Sequence, residues 1–207
     1  MNTSTSVDMI SSSNAILNGG FETGNFTNWS TIGTAFVDKS DFGIFPPEGT
    51  YSALLITGAA EDGELNVFSD SDIESFLGLK SGTLDALIEK NGIEGSAILQ
   101  TFTAKAGDTL SFDWNFLTNE ASDTEIFNDF AFITINGEVF KLADTFSSLF
   151  SSSANEFDSE TGFQAFSYTV STDGIFTLGF GVLDAGDTMM SSGLSIDNVK
   201  LVSTSVL

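Results

Sequence analysis

The chain of 207 residues contains no cysteine, no histidine and no arginine. Without thiols and imidazoles it can form no disulfides, no thiolate or imidazole metal sites, and no Ser-His or Cys-His catalytic groups. Without arginine it lacks the side chain that grips phosphates and bases through two parallel hydrogen bonds. The absence of cysteine fits an extracellular bacterial protein that uses metal ions in place of disulfides.

Positive charge is scarce, because six lysines face 29 Asp and Glu residues and the formal net charge is −23. Such a field repels nucleic acids and anionic membrane surfaces, so divalent cations are the natural partners. Divalent ions or salt would also relieve the repulsion within the folded chain. The simpler alternative is that the charge keeps the protein soluble in a saline or extracellular setting.

Long apolar runs are also missing, since no stretch approaches the roughly 20 residues of a membrane span. We therefore expect no membrane insertion. Residues 1–13 lack the basic and apolar regions of a secretory signal, which leaves the export route of an extracellular or cell-surface protein open. The segment reads as a flexible N-terminal arm. Alternatively, its apolar residues Val7, Met9 and Ile10 pair the arm with a strand of another copy.

Phenylalanine is abundant, with 21 Phe against two Trp and two Tyr. Residues Leu110, Phe112, Trp114 and Phe116 alternate with polar residues, which is typical of a half-buried strand. Asn136-Gly137 predicts a tight hairpin turn, and Thr172-Asp173-Gly174 separates another strand pair. The regular spacing predicts an all-β fold, an antiparallel jelly-roll β-sandwich spanning 14–207. Its strands are predicted at 14–18, 29–38, 51–57, 64–68, 96–104, 109–118, 129–136, 138–142, 163–171, 175–183 and 194–202.

A short helical insertion is predicted at 70–92. Ser71-Asp72-Ile73-Glu74 matches a capping box, and a second helix fits 83–90, with Lys90-Asn91-Gly92 as its C-terminal stop. Residues 142–150 suit a third helical turn. The apolar positions of these segments predict helices packed against the sandwich.

Candidate metal ligands stand near both ends of the chain. Asn18-Gly19-Gly20-Phe21-Glu22 is a Gly-rich bend with a carboxylate, and Asp197 lies within the alternating segment 194–201. If the first and last strands are neighbours, Glu22 and Asp197 can meet on one cation through oxygen ligands alone, with Asn18 as a weaker candidate. The alternative is that Glu22 caps a turn and Asp197 faces solvent.

A second acidic group lies at 119–129, where Asn119, Glu120, Asp123 and Asp129 are the candidate cation ligands. Asp184 and Asp187, in a later loop, are additional candidates from across the sandwich. The alternative interpretation is a solvated acidic loop, because the glycine and spacing of an EF-hand are missing.

The supply of exposed aromatic residues for sugar binding is small. Trp114 is in phase with the core face, which leaves Tyr51 and Phe45 as the candidate aromatic platform. Asp113 and Asn115, on the outward face of the same strand, are candidate partners of sugar hydroxyls, although ordinary surface residues look the same. No pair of carboxylates stands out as catalytic.

Together, the Asn18–Glu22 bend, Trp29 and the closing Ile196-Asp197-Asn198-Val199 resemble the galactose-binding-like jelly rolls, which include many carbohydrate-binding modules. The resemblance implies a buried Trp29 and a structural calcium between the first and last strands. The middle of the chain is similar to secreted cyanobacterial proteins of the PEP-CTERM type, although the chain ends at Leu207 without such a sorting tail. That likeness rests on Phe76–Leu79, Gly95–Phe102, Gly107–Glu120 and Asn128–Phe132.

These observations predict a non-catalytic, calcium-stabilised extracellular module that binds polysaccharide or cell-surface components in adhesion. The alternative is a structural subunit that assembles with copies of itself into a filament or matrix by strand addition through the arm.

Overall fold

Two antiparallel β-sheets pack face to face, which confirms the predicted all-β sandwich with a short helical insertion. The computed structural model describes residues 15–58, 68–120, 127–186 and 188–203. The elements in chain order are β1 (Ser30–Ile32), β2 (Thr34–Asp38), β3 (Ser52–Ile56), β4 (Phe68–Ser69), α1 (Asp70–Leu77), α2 (Thr83–Ile88), β5 (Gly92–Ala104), β6 (Thr109–Thr118), β7 (Phe130–Ile135), β8 (Glu138–Asp144), β9 (Ser151–Ser152), β10 (Ser159–Glu160), β11 (Gln164–Thr169), β12 (Gly174–Ala185) and β13 (Ser192–Val202).

The first sheet has the strand order β1-β5-β12-β7-β8, and β4 also pairs with β5. The second sheet has the order β2-β3-β13-β6-β10-β9, and β11 also pairs with β6. The chain passes from the first sheet to the second at Gly33, whose φ of +80° suits glycine. A Cβ there would lie 2.4 Å from Ser96 Oγ, so the crossing needs a residue without a side chain.

Phenylalanine rings fill the space between the sheets. The β6 residues Leu110, Phe112, Trp114 and Phe116 are all buried in this core, as their alternation predicts. Phe112 meets Phe180 of the opposite sheet edge to face, with ring centroids 4.7 Å apart. Such pairs combine a large buried apolar area with a favourable ring geometry, so these phenylalanines hold the two sheets together.

The two helices cover the outer face of the first sheet, where Ile73, Leu77 and Leu84 pack against Leu183 and its neighbours. The predicted capping box at Ser71–Glu74 was wrong by two residues, because Ser69 caps α1 and Asp72 returns the bond. Glu74 is buried instead and accepts hydrogen bonds from the backbone N–H groups of α2.

Several predicted boundaries differ from the structure. The described part of 14–18 is irregular, and the segment 142–150 forms no helix because β8 continues to Asp144 and a turn follows. The helix α2 ends at Ile88 with Glu89 in the left-handed region, so Gly92 begins β5 and is not a helix stop. Thr172-Asp173-Gly174 joins strands of opposite sheets, since β11 pairs with β6 and β12 with β5. Most of the predicted strand 64–68 and the whole arm with Val7, Met9 and Ile10 lie outside the described residues.

The Asn136-Gly137 hairpin is confirmed. Both residues have positive φ angles, of 51° and 82°, and Ile135 pairs directly with Glu138. Among the described residues, no helix is long and apolar enough to cross a membrane.

Candidate binding sites

The two terminal motifs lie together at one open cleft. Val199 N donates to Gly19 O at 2.9 Å, so the Gly-rich bend runs beside the last strand. A Cβ on Gly20 would lie 3.7 Å from Asp197 Oδ1 and 3.7 Å from Glu22 Cγ. The absence of that side chain leaves room for Glu22 and the buried Asp197 on either side of Gly20, and Glu22 lines a cleft of about 490 Å³ there.

The loop 48–51 is folded onto both carboxylates. Glu22 Oε1 accepts hydrogen bonds from Thr50 N at 2.8 Å and from Tyr51 N at 3.0 Å. Asp197 Oδ2 accepts from Glu48 N at 3.1 Å, while its Oδ1 accepts from Asn198 N at 2.6 Å. These bonds fix the position of both acids relative to the loop.

Asp197 is fully buried, although Glu22 is exposed. Burial is the main cause that raises the pKa of Asp197 to about 6. The charges of Glu22 and Glu48 contribute to this rise, and the backbone N–H groups of Asn198 and Glu48 oppose it. Lys200 also lines the cleft, but its Nζ donates to Asn198 Oδ1 at 3.1 Å. Within the ranges that the structure describes, one salt bridge is found, and it joins Lys141 and Asp144 elsewhere. The acids of the cleft therefore keep an uncompensated negative charge.

The donor set of this cleft suits calcium, which takes roughly six to eight oxygen ligands in flexible geometry. A carboxylate oxygen that accepts one N–H keeps a second lone pair for a cation. However, the described part of the chain contains no group of three or more acidic, histidine or cysteine side chains spaced to hold a metal. An ion between Glu22 and Asp197 thus needs backbone carbonyls and water to complete its shell.

Asn18, the third candidate ligand, serves the bend itself. Its Nδ2 donates to Asn25 O at 2.8 Å and to Thr27 O at 3.2 Å, and its Oδ1 accepts from Thr23 N. The indole of Trp29 donates to Asn18 O, and Trp29 is buried in the core. The Asn18 side chain therefore closes the 18–27 loop and does not line the cleft.

The described members of the acidic group at 119–129 have separate partners. Asn119 Oδ1 accepts from Asp158 N at 2.8 Å. Asp129 turns into the sandwich, where it accepts from Ala185 N and from Ser192 Oγ. Glu120 is buried as well. Asp123, like Asp187, lies outside the described residues.

A separate cleft of about 240 Å³ opens on the second sheet. Asn115 lines this cleft but is only 1% exposed, because β10 and the turn that follows it cover the side chain. The prediction that Asn115 lies on an open outward face was therefore wrong. Its Nδ2 donates to Glu160 Oε2 at 2.8 Å, and its Oδ1 accepts from Thr161 Oγ1. Phe45, at the rim, is 76% exposed.

The other two predicted sugar contacts lie elsewhere. Tyr51 is half-buried, with its ring 3.6 Å from the Cβ position of Gly24. Asp113 accepts a hydrogen bond from Asn198 Nδ2 at 2.9 Å and pairs in register with Asp197. Both residues therefore belong near the terminal cleft, apart from Asn115. Glu160 was not singled out from the sequence, because a lone acid in a strand of two residues carries no distinctive pattern.

No protein-family model matches the chain. No curated protein matches it either. The similarity to cyanobacterial sorting-tail proteins consequently stays a prediction.

Several solved structures share part of the chain's shape. The carbohydrate-binding module TmCBM61, solved in complex with β-1,4-galactotriose, has a TM-score of 0.46 and 12% identity, covering 91% of this chain and 97% of that one. The enzymatically active domain of tailspike protein 4 of bacteriophage CBA120 has a TM-score of 0.42 and 11% identity, with coverage of 91% and 21%. A carbohydrate-binding module of the β-sandwich superfamily has a TM-score of 0.41 and 12% identity, with coverage of 89% and 60%. At these TM-scores the likenesses carry no argument about the function of this chain.

Proposed function

We propose that the protein is a non-catalytic extracellular or cell-surface module that binds polysaccharide through the cleft at Asn115. The observation that carries this proposal is the combination of an exposed Phe45 ring with the hydrogen-bonded pair Asn115–Glu160 in one open cleft. Binding sites for small ligands combine an apolar surface with a few polar groups that fix orientation.

The two parts of the cleft have complementary tasks. The Phe45 ring stacks against the apolar face of a sugar ring, and it stands between the buried Ile44 and the stiff Pro46-Pro47 pair, which limits its motion. The carboxylate of Glu160 offers an acceptor to neighbouring sugar hydroxyls, and the buried amide of Asn115 holds that carboxylate in place. Because Asn115 is already held by Glu160 and Thr161, little side-chain freedom is lost on binding.

The negative charge of the protein disfavours anionic glycans as ligands. With a net charge of −23, the protein repels anionic polysaccharides over distances of about a Debye length. We therefore propose a neutral glycan as the ligand. A strongly acidic glycan would require divalent cations between the two surfaces.

We further propose that a calcium ion between Glu22 and Asp197 stabilises the module. Support comes from the placement of both acids on one cleft, the raised pKa of Asp197 and the absence of a lysine paired with either carboxylate among the contacts described. The ion would neutralise the acids and tie the Gly-rich bend to the last strand.

Affinity measurements on a panel of soluble neutral polysaccharides test the binding proposal. F45A is expected to lower the affinity about fivefold or more, because truncation of an aromatic side chain that stacks on the ligand costs about 1 kcal/mol or more. E160Q keeps the size of the side chain and is expected to weaken binding as well.

The matched control is I175A. Ile175 is 73% exposed, like Phe45, but it lies on β12 of the other sheet. It is expected to bind as the wild type does, and all variants are expected to melt within a few degrees of one another. Equal affinity of F45A and I175A for every bound glycan, or no binding to any glycan, would show that the cleft is not a sugar site.

A further inference from the structure

A second group of acids lies inside the sandwich, away from both clefts. Leu183 pairs with Gly95 on one side and with Phe130 on the other, so Asp184 lies beside Glu94 of β5 and beside Asp129 at the start of β7. Since side chains alternate along a strand, Asp184 shares the inward face of Val182, and Asp129 shares that of Ala131. Both carboxylates therefore point between the two sheets.

Asp184 is the unusual member of this group. It is 1% exposed, and neither of its carboxylate oxygens accepts a hydrogen bond. The side chains of Asp129 and Thr57 lie beside it, and its charged neighbours are the acids Asp129 and Glu94. Burial, followed by the charge of Asp129, raises the pKa of Asp184 far above its usual range.

The groups around Asp184 are held in fixed positions. Asp129 Oδ1 accepts from Ala185 N at 3.0 Å, and its Oδ2 accepts from Ser192 Oγ at 2.6 Å. Thr57 Oγ1 accepts from Ser192 N at 2.9 Å, and Thr57 N donates to Ser192 O. The carboxylate of Asp129 and the hydroxyl of Thr57, which come from different segments of the chain, are thus oriented before any ligand arrives.

Either a shared proton or a bound cation can reduce the negative charge of these buried acids. A proton between Asp129 and Asp184 satisfies one oxygen of Asp184, and the hydroxyl of Thr57 can donate to the other. The proton does nothing for Glu94, which is 4% exposed and whose Oε1 is without a hydrogen-bond partner. A divalent cation satisfies both oxygens of Asp184 and lowers the repulsion from all three acids, so the observations favour the cation.

We propose that Asp184 and Asp129, together with the hydroxyl of Thr57, hold a calcium ion between the two sheets. Glu94 adds negative charge to the site. The donors are all oxygen atoms from three separate segments of the chain, which suits the flexible shell of calcium better than the strict octahedron of magnesium. Ser192, next to this site, is five residues from Asp197 along β13, or about 17 Å at 3.4 Å per residue. The ion would therefore be separate from the one proposed at Glu22.

Calcium counting on the full chain tests this inference. Equilibrium dialysis against calcium alone, at about 0.15 M salt to suppress loose binding to surface acids, is expected to give two tightly bound ions per wild-type chain. D184N and D129N are each expected to lose one ion, and E22Q is expected to lose the other. D173N is the matched control, because Asp173 is exposed and lies at the opposite end of β12. It is expected to bind two ions.

Thermal melting shows that the variants are folded. In EDTA, D184N is expected to melt at or above the temperature of the wild type, because its amide has no charge to bury beside Asp129. In calcium, its rise in melting temperature is expected to be smaller than that of the wild type. D129N keeps one carbonyl acceptor for Ala185 N and provides the same comparison if D184N fails to fold.

The inference is overturned if D184N and D129N bind as many ions as the wild type and respond equally to calcium. It is also overturned if infrared spectra at neutral pH in saturating calcium show a protonated carboxyl band that D184N removes, since the pair then shares a proton. If D184N loses an ion and E22Q loses none, the interior site stands and the proposed terminal calcium fails. The two proposals are therefore distinguished by one set of variants.

Discussion

The raised pKa of Asp197 predicts how stability depends on pH in the absence of calcium. The pKa rises from 3.8 to about 6 on folding, so the folded protein holds this proton more tightly than the unfolded chain. The associated stability is fully present below about pH 4 and is lost as the pH rises through about 6. The shift corresponds to about 3 kcal/mol without screening. Because the cleft opens to solvent, we expect about 1–2 kcal/mol.

The perturbation is D197N, which cannot titrate. In EDTA, the wild type is expected to lose about 1–2 kcal/mol relative to D197N between about pH 4 and pH 7, or roughly 2–8 °C in melting temperature. Asp184 adds a slope of the same sign to both proteins, so the difference between them isolates Asp197. The amide lacks one of the two acceptor oxygens, but that cost is the same at every pH and cancels in the comparison.

Calcium provides the second half of this test. An ion at Glu22 and Asp197 favours the ionised carboxylate, so saturating calcium is expected to abolish the difference in pH slope. Melting curves followed by circular dichroism at several pH values, in EDTA and in calcium, measure both effects. The reasoning is refuted if the wild type and D197N have parallel pH profiles in EDTA.

Three further substitutions test the fold and the terminal cleft. G49A places a Cβ 2.2 Å from Glu22 Oε1, at a φ of +67°. The control is G137A, where φ is +82° and no atom lies within 4 Å of the added Cβ. Chemical denaturation is expected to show that G49A is about 1–2 kcal/mol more destabilised than G137A, and equal losses would contradict the packing at Glu22. F180A removes a fully buried ring between the sheets and is expected to cost about 3–5 kcal/mol in urea unfolding, whereas a loss below about 1 kcal/mol would contradict its central position. E74Q leaves either Gly82 N, just before α2, or Leu84 N without its carboxylate acceptor. The free energy of unfolding is expected to fall by about 1–3 kcal/mol, and hydrogen exchange is expected to be faster at one of the two amides. Unchanged exchange at both amides would contradict this role of Glu74.

Local patterns were sufficient for much of the fold. The alternation of apolar and polar residues in β6 correctly predicted which side chains face the core. Residues two apart lie on the same side of a strand, whichever strands pair with it. Asn136-Gly137 predicted its hairpin because positive φ angles at both positions define the turn. The helix cap was misplaced because Ser69-Asp-Ser-Asp72 and Ser71-Asp-Ile-Glu74 overlap as patterns. Burial of Glu74 beneath α2 decides between them.

The candidate sites depend on contacts that the sequence does not display. Asp129 and Asp184 meet because β7 and β12 pair in one particular register, and a shift of β7 by one residue would turn Asp129 outward, away from Asp184. Asn115 has the alternation of a surface residue, yet it is covered because Glu160 arrives on a short strand from 45 residues away. Such burial follows from chain topology, so it could not be derived from either segment alone.

The most direct test of the proposed function is an NMR titration of the ¹⁵N-labelled protein with a neutral glycan that it binds. Binding at the proposed cleft predicts shifts at the side-chain amide of Asn115 and at the backbone amides of Gly43 and Gly162. The amides of Gly20 and Gly49, at the terminal cleft, are expected to stay unchanged. Shifts confined to Gly20 and Gly49, with none around Asn115, would contradict the account.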